Sequence, residues 1–279
     1  MRATSLPPRL AVLALLALAA CALGNPCVPP VVEEEDGGGV CVGCSPTTPG
    51  AFPYFVALTT AYNRNGVHCG GTLITPDVVV TAAHCVRWFL RAQVGRTNLD
   101  QEEYGEYTVT HVQRHPGHDP LTEDLDVALL KLDRPVDGAE LATLVAAESS
   151  EMLENFLQSK DMSVMGFGKT LERGLLSKKL LAGTVQHVPR AECNSAERFG
   201  GQVTSNMLCA QGDGVDACDG DSGGPLILSR NSRDFLVGVV SWGIGCGGPK
   251  YPGVYVDINA VRPWILEEID NSGQWPEVK

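Results

Sequence analysis

The sequence predicts an all-β protein, a barrel or a sandwich, and three observations carry that reading. Short runs rich in β-branched and aromatic residues recur between turn signals: Tyr54 to Leu58, Val78 to Ala82, Tyr107 to Val112, Val127 to Leu132, Met162 to Gly166, Leu226 to Leu228 and Phe235 to Trp242. The 31 glycines and 18 prolines fall in many short clusters, which punctuate strands rather than extend helices. A single segment reads as a helix, near the C-terminus, where Pro263 precedes Trp264, Ile265, Leu266 and Ile269 and fits a first helical position.

The chain of 279 residues is 44% hydrophobic and 19% charged, long enough to bury a core unaided and ordinary in balance. With 21 Lys and Arg against 33 Asp and Glu it carries a net charge of −12. That acid excess argues against nucleic acid and anionic membranes as partners and favours cationic substrates.

In chain order, Arg2 and Arg9 precede an apolar run from Leu10 to Leu23, too short to span a bilayer and shaped like a signal-peptide core. Ala20-Cys21-Ala22 is a small-residue cleavage site, and a cut after Gly24 is nearly as good; residues 1–24 are assigned as the signal. Leu18-Ala19-Ala20-Cys21 also matches a bacterial lipoprotein box, so a bacterial host would allow lipid anchoring at Cys21 in place of free secretion. Residues 25–40, with Pro29-Pro30, Glu33-Glu34-Glu35-Asp36 and Gly37-Gly38-Gly39, lack apolar periodicity and read as a linker or propeptide. The folded domain is therefore expected over residues 41–279. Of ten cysteines, removal of Cys21 leaves nine, an odd number. Cys41-Val42-Gly43-Cys44 is a CxxC with no second pair or histidine spacing to complete a zinc site, so no metal and no cofactor are expected.

The sharpest chemical signal is Gly220-Asp221-Ser222-Gly223-Gly224-Pro225. Flanking glycines expose a serine hydroxyl and let backbone N–H groups converge, as an oxyanion hole requires. The motif also matches the nucleophile elbow of α/β-hydrolases, an esterase reading, but that arrangement needs its histidine after the serine. None of the six histidines follows Ser222, so this alternative fails. A serine needs a base. His84 lies in Thr81-Ala82-Ala83-His84-Cys85 at the end of an apolar strand. Asp126 enters the apolar run Val127-Ala128-Leu129-Leu130, where a carboxylate needs a hydrogen-bonding partner such as an imidazole. The neighbouring Asp124 is read as solvated.

With these residues in the order His84, Asp126, Ser222, the sequence resembles a trypsin-like serine protease of the chymotrypsin family from Val42 to Ile269. Pro53-Tyr54, Cys69-Gly70-Gly71-Thr72-Leu73-Ile74, Ser241-Trp242-Gly243 and Pro252-Gly253-Val254-Tyr255 complete the match. The resemblance implies two six-stranded antiparallel barrels with a cleft between them and a short C-terminal helix. It implies disulfides Cys69–Cys85, Cys193–Cys209 and Cys218–Cys246. It gives Ser222 as nucleophile, His84 as base and then acid, Asp126 as its orienting partner, and the N–H groups of Gly220 and Ser222 as the oxyanion hole. Ser241, Trp242 and Gly243 would pair with the substrate backbone. Asp216 would sit at the base of the primary pocket, walled by Gly243 and Gly253, and would select Lys or Arg. The implied partners are proteins or peptides with Lys or Arg before the cut, and protease inhibitors.

Departures from the family pattern are equally legible. Cys41-Val42-Gly43-Cys44 occupies the activation sequence, and Val40 stands where a basic residue would precede the cut. Family members are made as zymogens whose freed ammonium pairs with the aspartate before the serine, here Asp221. A second reading is therefore a silent, zymogen-like binding protein on the same fold. Cys41 and Cys44 are candidates to pair with each other or with Cys27. Asp219 replaces a neutral residue and would disfavour acidic residues near the cut, Phe167 replaces a tryptophan, and Arg96 stands where calcium-binding relatives carry an acid.

Overall fold

The structure is a computed structural model and describes residues 44–101, 104–169 and 175–277. The expected signal and propeptide, Cys27, Cys41 and the acids at 102 and 103 lie outside the described residues.

Short, mostly apolar segments, buried along most of their length, make much of the first half. A two-residue strand, β1 (Ser45–Pro46), precedes β2 (Phe55–Thr60), β3 (Cys69–Thr75), β4 (Val78–Thr81), β5 (Leu90–Val94), β6 (Gly105–Arg114) and β7 (Ala128–Leu132). From β2 to β7 these strands close a six-stranded barrel in the order β2-β3-β4-β7-β6-β5, all pairings antiparallel. Closure leaves no unpaired edge and buries Phe55, Leu58, Leu73, Leu90, Leu129 and Leu130 completely or nearly so.

The second half contains β8 (Thr143–Leu144), α1 (Ser150–Leu157), β9 (Asp161–Gly166), β10 (Leu181–Val188), α2 (Arg190–Cys193), β11 (Met207–Gln211), β12 (Pro225–Arg230), β13 (Arg233–Trp242) and β14 (Gly253–Asp257). Strands β9, β10, β11, β14, β13 and β12 close a second antiparallel barrel through the β9–β12 pairing. The short strands are additions to it: β1 joins β10, and β8 joins β13 in parallel.

The C-terminal helix, α3 (Ile258–Asp270), starts five residues before the position expected from Pro263. Asp257 caps it by accepting from the Asn259 N–H at 2.8 Å. Pro263 therefore sits inside the helix rather than at its start, and its ring fixes a helical φ there. Helix α1 was not anticipated. Ser149 caps it by accepting from the Met152 N–H at 3.1 Å, and Leu153 and Leu157, one turn apart, bury together.

The first described strand and the last described residues each fasten to the barrel that their neighbouring segments do not build. The N-terminal β1 pairs with the second barrel, Ser45 opposite Ala182, before the chain enters the first. After α3 the tail returns to β6 of the first barrel. There the Val112 N–H donates to the Pro276 carbonyl at 3.3 Å, the Gln113 side chain donates to Glu268 at 3.1 Å, and the rings of His115 and Trp264 lie 4.7 Å apart.

Arg96 is almost wholly buried, and its guanidinium ties one loop together. It donates to the carbonyls of Arg64, Asn98, Leu99 and Gln101 and to the side-chain oxygens of Asn65 and Gln93, while Tyr104 stacks 4.1 Å away. Phe167 fills the position of the expected tryptophan and packs on Phe55 at 5.9 Å. The three disulfides implied by the resemblance are formed, and Cys44 is also disulfide-bonded.

Candidate active site

Strand register explains which side chains meet. Thr81 at the end of β4 pairs with Ala128 at the start of β7, so the residues after one and before the other leave the barrel at the same edge. There a 3₁₀ turn, Ala83–Cys85, carries His84, and the disulfide Cys69–Cys85 ties that turn to β3. Asp126 stands two residues ahead of β7. The second barrel repeats the device. Pro225 pairs with Val239, so Ser222 before β12 and Ser241 at the end of β13 share an edge. The Gly70 N–H donates to the Ser222 carbonyl at 2.7 Å, joining the two barrels at that edge.

Asp126 is fully buried and its oxygens are well supplied with donors. Oδ2 accepts from His84 Nδ1 at 2.7 Å and from the Ser241 hydroxyl at 2.6 Å, and Oδ1 accepts from the His84 backbone N–H at 3.0 Å. Burial works against the carboxylate, yet the His84 hydrogen bond and charge and the Ser241 hydroxyl together hold its pKa below the usual carboxylate value. Burial likewise opposes the His84 imidazolium, but Asp126 outweighs it and raises the pKa of the ring. His84 Nε2 lies 3.6 Å from Cys85 Sγ. Among the described residues, no hydrogen bond joins the ring to Ser222 Oγ. Ser222 instead lines a cavity of about 210 Å³ together with Ser241, Trp242, Gly243, Cys246 and Gly253.

Gly220 has φ of +101°, and a Cβ there would lie 2.8 Å from Gly168 Cα, so only glycine fits. The N–H groups of Gly220 and Ser222 donate to no other described residue, which leaves two donors free on either side of Asp221.

The trypsin family model matches residues 41–265. The chain belongs to the trypsin family. It is 35% identical to trypsin delta of Drosophila melanogaster over 260 residues, which cover 90% of this chain and 96% of that protein. It is 38% identical to hypodermin-B of Hypoderma lineatum over 224 residues, 77% of this chain and 82% of the relative. Trypsin of Xenopus laevis is 35% identical over 240 residues, 84% and 90% respectively.

In this trypsin-family chain Asp216 is 3% exposed. Its Oδ2 accepts from the Gly247 N–H at 3.1 Å, while Oδ1 has no partner and neither does the nearby Tyr255 hydroxyl. A Cβ on Gly253 would lie 2.7 Å from that Oδ1 and 3.1 Å from the Tyr255 hydroxyl oxygen, so any side chain at 253 would cover both. Burial raises the Asp216 pKa to about 7, only partly offset by the backbone N–H groups of Gly247 and Ala217.

Asp221 is completely buried. It accepts from the N–H groups of Gly168 and Cys218, both at 2.9 Å, and burial raises its pKa to about 6. No Lys, Arg or His pairs with it among the described residues. Asp219 is exposed and pairs with Lys169 at 2.7 Å, so its charge is partly balanced.

Three further contacts of the site went unread in the sequence. The Ser241 hydroxyl holds Asp126, a contact across 115 positions that no local pattern announces. His118 Nε2 lies 3.0 Å from Glu123 Oε2 and 3.6 Å from Asp126 Oδ1. Asp124, expected in solvent, instead accepts from Thr204 at 2.6 Å and from Asn206, so it fastens the loop to the second barrel and leaves the imidazole to Asp126.

Proposed function

We propose that this chain is a secreted serine endopeptidase that hydrolyses peptide bonds after Lys or Arg. Ser222 is the nucleophile, His84 its general base and then the acid for the leaving amine, and Asp126 the partner that fixes the ring. The observation that carries the catalytic reading is the 2.7 Å contact between His84 Nδ1 and a fully buried Asp126. It leaves Nε2 as the proton acceptor and stabilises the imidazolium that forms when the serine attacks. The Ser222–His84 hydrogen bond is completed on substrate binding, as is common where the free geometry is loose. The N–H groups of Gly220 and Ser222 receive the oxyanion, each such donor contributing about 2.7–4 kcal/mol. Ser241, Trp242 and Gly243 hold the substrate backbone.

Specificity rests on Asp216. A buried carboxylate with a free oxygen, in a space kept open by Gly253 and Gly243, is stabilised by an incoming guanidinium or ammonium and by little else. Residues 1–24 act as the signal and residues 25–40 as the propeptide, with the peptidase domain over 41–279. A cut before Cys41 would free an ammonium to pair with Asp221.

A second reading, a silent binding protein held in the zymogen state, is favoured by Val40 at the expected cut and by an Asp221 that meets only backbone N–H groups among the described residues. Labelling of the purified protein by an active-site serine phosphonate, with its N-terminus sequenced in parallel, separates the two. Labelling that disappears in Ser222→Ala supports the enzyme, and no labelling whatever the N-terminus supports the silent form. Asp216→Ser should abolish cleavage of arginyl substrates while labelling persists. Surviving arginyl cleavage would remove Asp216 from the pocket.

A further inference from the structure

Helix α1 and the hairpin of β12 and β13 enclose an apolar groove on the second barrel. Leu153 and Leu157 turn one stripe of α1 into the core, while Met152 and Phe156, one turn apart on the adjoining stripe, stay 51% and 38% exposed. With Val145, Leu228 and Phe235 they line a cavity of about 620 Å³, within the size range of small-molecule sites. Arg230 lines it too, its guanidinium 5.2 Å from the centre of the Phe156 ring. A second cavity of about 400 Å³ shares Phe156, Leu228 and Arg230 with the first and adds Lys160. The cations here have no acid to answer them. Asn231 and Ser232, with φ of 51° and 57°, form a tight turn that sets Arg230 directly opposite Arg233, where like charges repel. Among the described residues, neither arginine nor Lys160 has an ionic partner. The acids close by in sequence are otherwise engaged: Asp234 accepts from Tyr54 and Ser229, and Asp161 from Gln186. Glu148 lines the apolar cavity but not the one that holds Lys160.

We propose that this groove binds a long-chain fatty acid, its alkyl chain over Met152, Phe156 and Leu228 and its carboxylate among Lys160, Arg230 and Arg233. Water leaves the exposed apolar side chains when the alkyl chain covers them, and that sets the affinity. A carboxylate accepts charge-assisted hydrogen bonds from the arginines and relieves their mutual repulsion. In a chain of net charge −12, unpaired cations gathered beside exposed apolar surface match an anionic amphiphile and nothing purely apolar. A protein partner would need a face of about 800 Å², far broader than two exposed side chains provide. The site stands apart from the cleft. Pro225 to Arg230 is five residues of β12, about 17 Å at the usual rise, and Ser222 lies before that strand.

Because no step of catalysis enters the argument, the test gives the same answer whether or not the chain hydrolyses peptides. The full chain is titrated by calorimetry with dodecanoate below its micelle-forming concentration. One molecule should bind per chain, and tetradecanoate should bind at least about threefold more tightly, as two further buried methylenes require. The neutral monoglyceride of dodecanoic acid should bind at least about tenfold more weakly than the acid. Arg230→Gln and Phe156→Ser should each weaken dodecanoate binding at least about tenfold, with circular dichroism confirming that each variant is folded. Photolabelling of the parent chain by a diazirine-bearing fatty acid locates the site without any variant. The label should fall on peptides from α1 and the β12–β13 hairpin. The proposal falls if dodecanoate gives neither heat nor label, if the label falls in the cleft around Trp242, or if the monoglyceride binds as well as the acid. Binding to phosphatidylglycerol vesicles without binding of monomeric acid would make the patch a membrane contact and overturn it as well.

Discussion

Asp216 is a carboxylate whose charge depends on what stands beside it. Burial raises its pKa to about 7, so below neutrality it is mostly protonated and offers little to a cation. An entering guanidinium favours the ionised form and pulls the proton off. Affinity for a small amidine inhibitor should therefore rise as pH climbs through about 7 and level off above it. Below that point it should weaken by up to about tenfold per pH unit. Inhibition constants measured across this range give the profile, and Asp216→Asn should flatten it. An unchanged slope in that variant would place the titrating group elsewhere. At this scale the sequence was legible wherever chemistry demands a rare local pattern. Glycines bracketing Ser222 and an acid opening an apolar run are such patterns, and they marked Ser222 and Asp126. His118 and the Ser241 hydroxyl carry no such mark, because they meet Asp126 only when the loop and the second barrel close on it.

Among elements, the loop around Arg96 shows a buried cation used as a fastener. Six oxygen acceptors converge on one guanidinium, four of them backbone carbonyls. Hydrogen bonds to a charged group contribute about 1.5–3 kcal/mol each, and stranding their partners costs more than losing one. Arg96→Met should lower stability by at least about 3 kcal/mol. Urea denaturation checks this, and a loss under about 1 kcal/mol would mean that solvent satisfies those carbonyls instead. The same scale explains which elements could be read in advance. Continuous apolar runs such as β4, β7 and β13 declared themselves. Strand β3 begins Cys69-Gly70-Gly71, and the two glycines look like a turn until barrel closure is known. Helix α1 is only eight residues long, too short for its periodicity to stand out against the surrounding polar residues. Pro263 misplaced the start of α3, because proline is commoner at a first helical position than inside a helix, and here Asp257 provides the cap.

For the whole molecule, Asp216 and Asp221 make stability depend on pH. In each the folded-state pKa, about 7 and about 6, exceeds the ordinary value of 3.8, so the protonated form is favoured by folding. Stability is then greatest below 3.8 and declines as pH rises through the window up to about 7. A tenfold change in proton affinity corresponds to about 1.4 kcal/mol, which makes an unpaired Asp221 cost about 3 kcal/mol at neutrality. Asp257, also raised by burial, adds to the fall; Asp126, whose pKa is lowered, acts in the opposite direction below 3.8, and His68, His115 and His187, lowered from 6.5 by burial, act in the opposite direction inside the window. The Tm of the intact chain, taken relative to a variant with Asp216→Asn and Asp221→Asn, should accordingly fall between about pH 4 and pH 7. After a cut that frees an ammonium beside Asp221 the fall should be shallower, and scanning calorimetry of both forms makes the comparison. Identical curves would mean that no ammonium reaches the carboxylate.

The crossed fastening of the two ends also bears on how the chain can be divided. Because β1 belongs to the second barrel and the tail from Pro276 grips β6 of the first, each half lacks a piece that travels with the other. Polypeptides made separately on either side of the stretch between Leu132 and Thr143 should stay molten apart, yet dovetail when mixed. Trimming a few residues behind Trp275 should abolish that reunion while leaving every cleft residue in place.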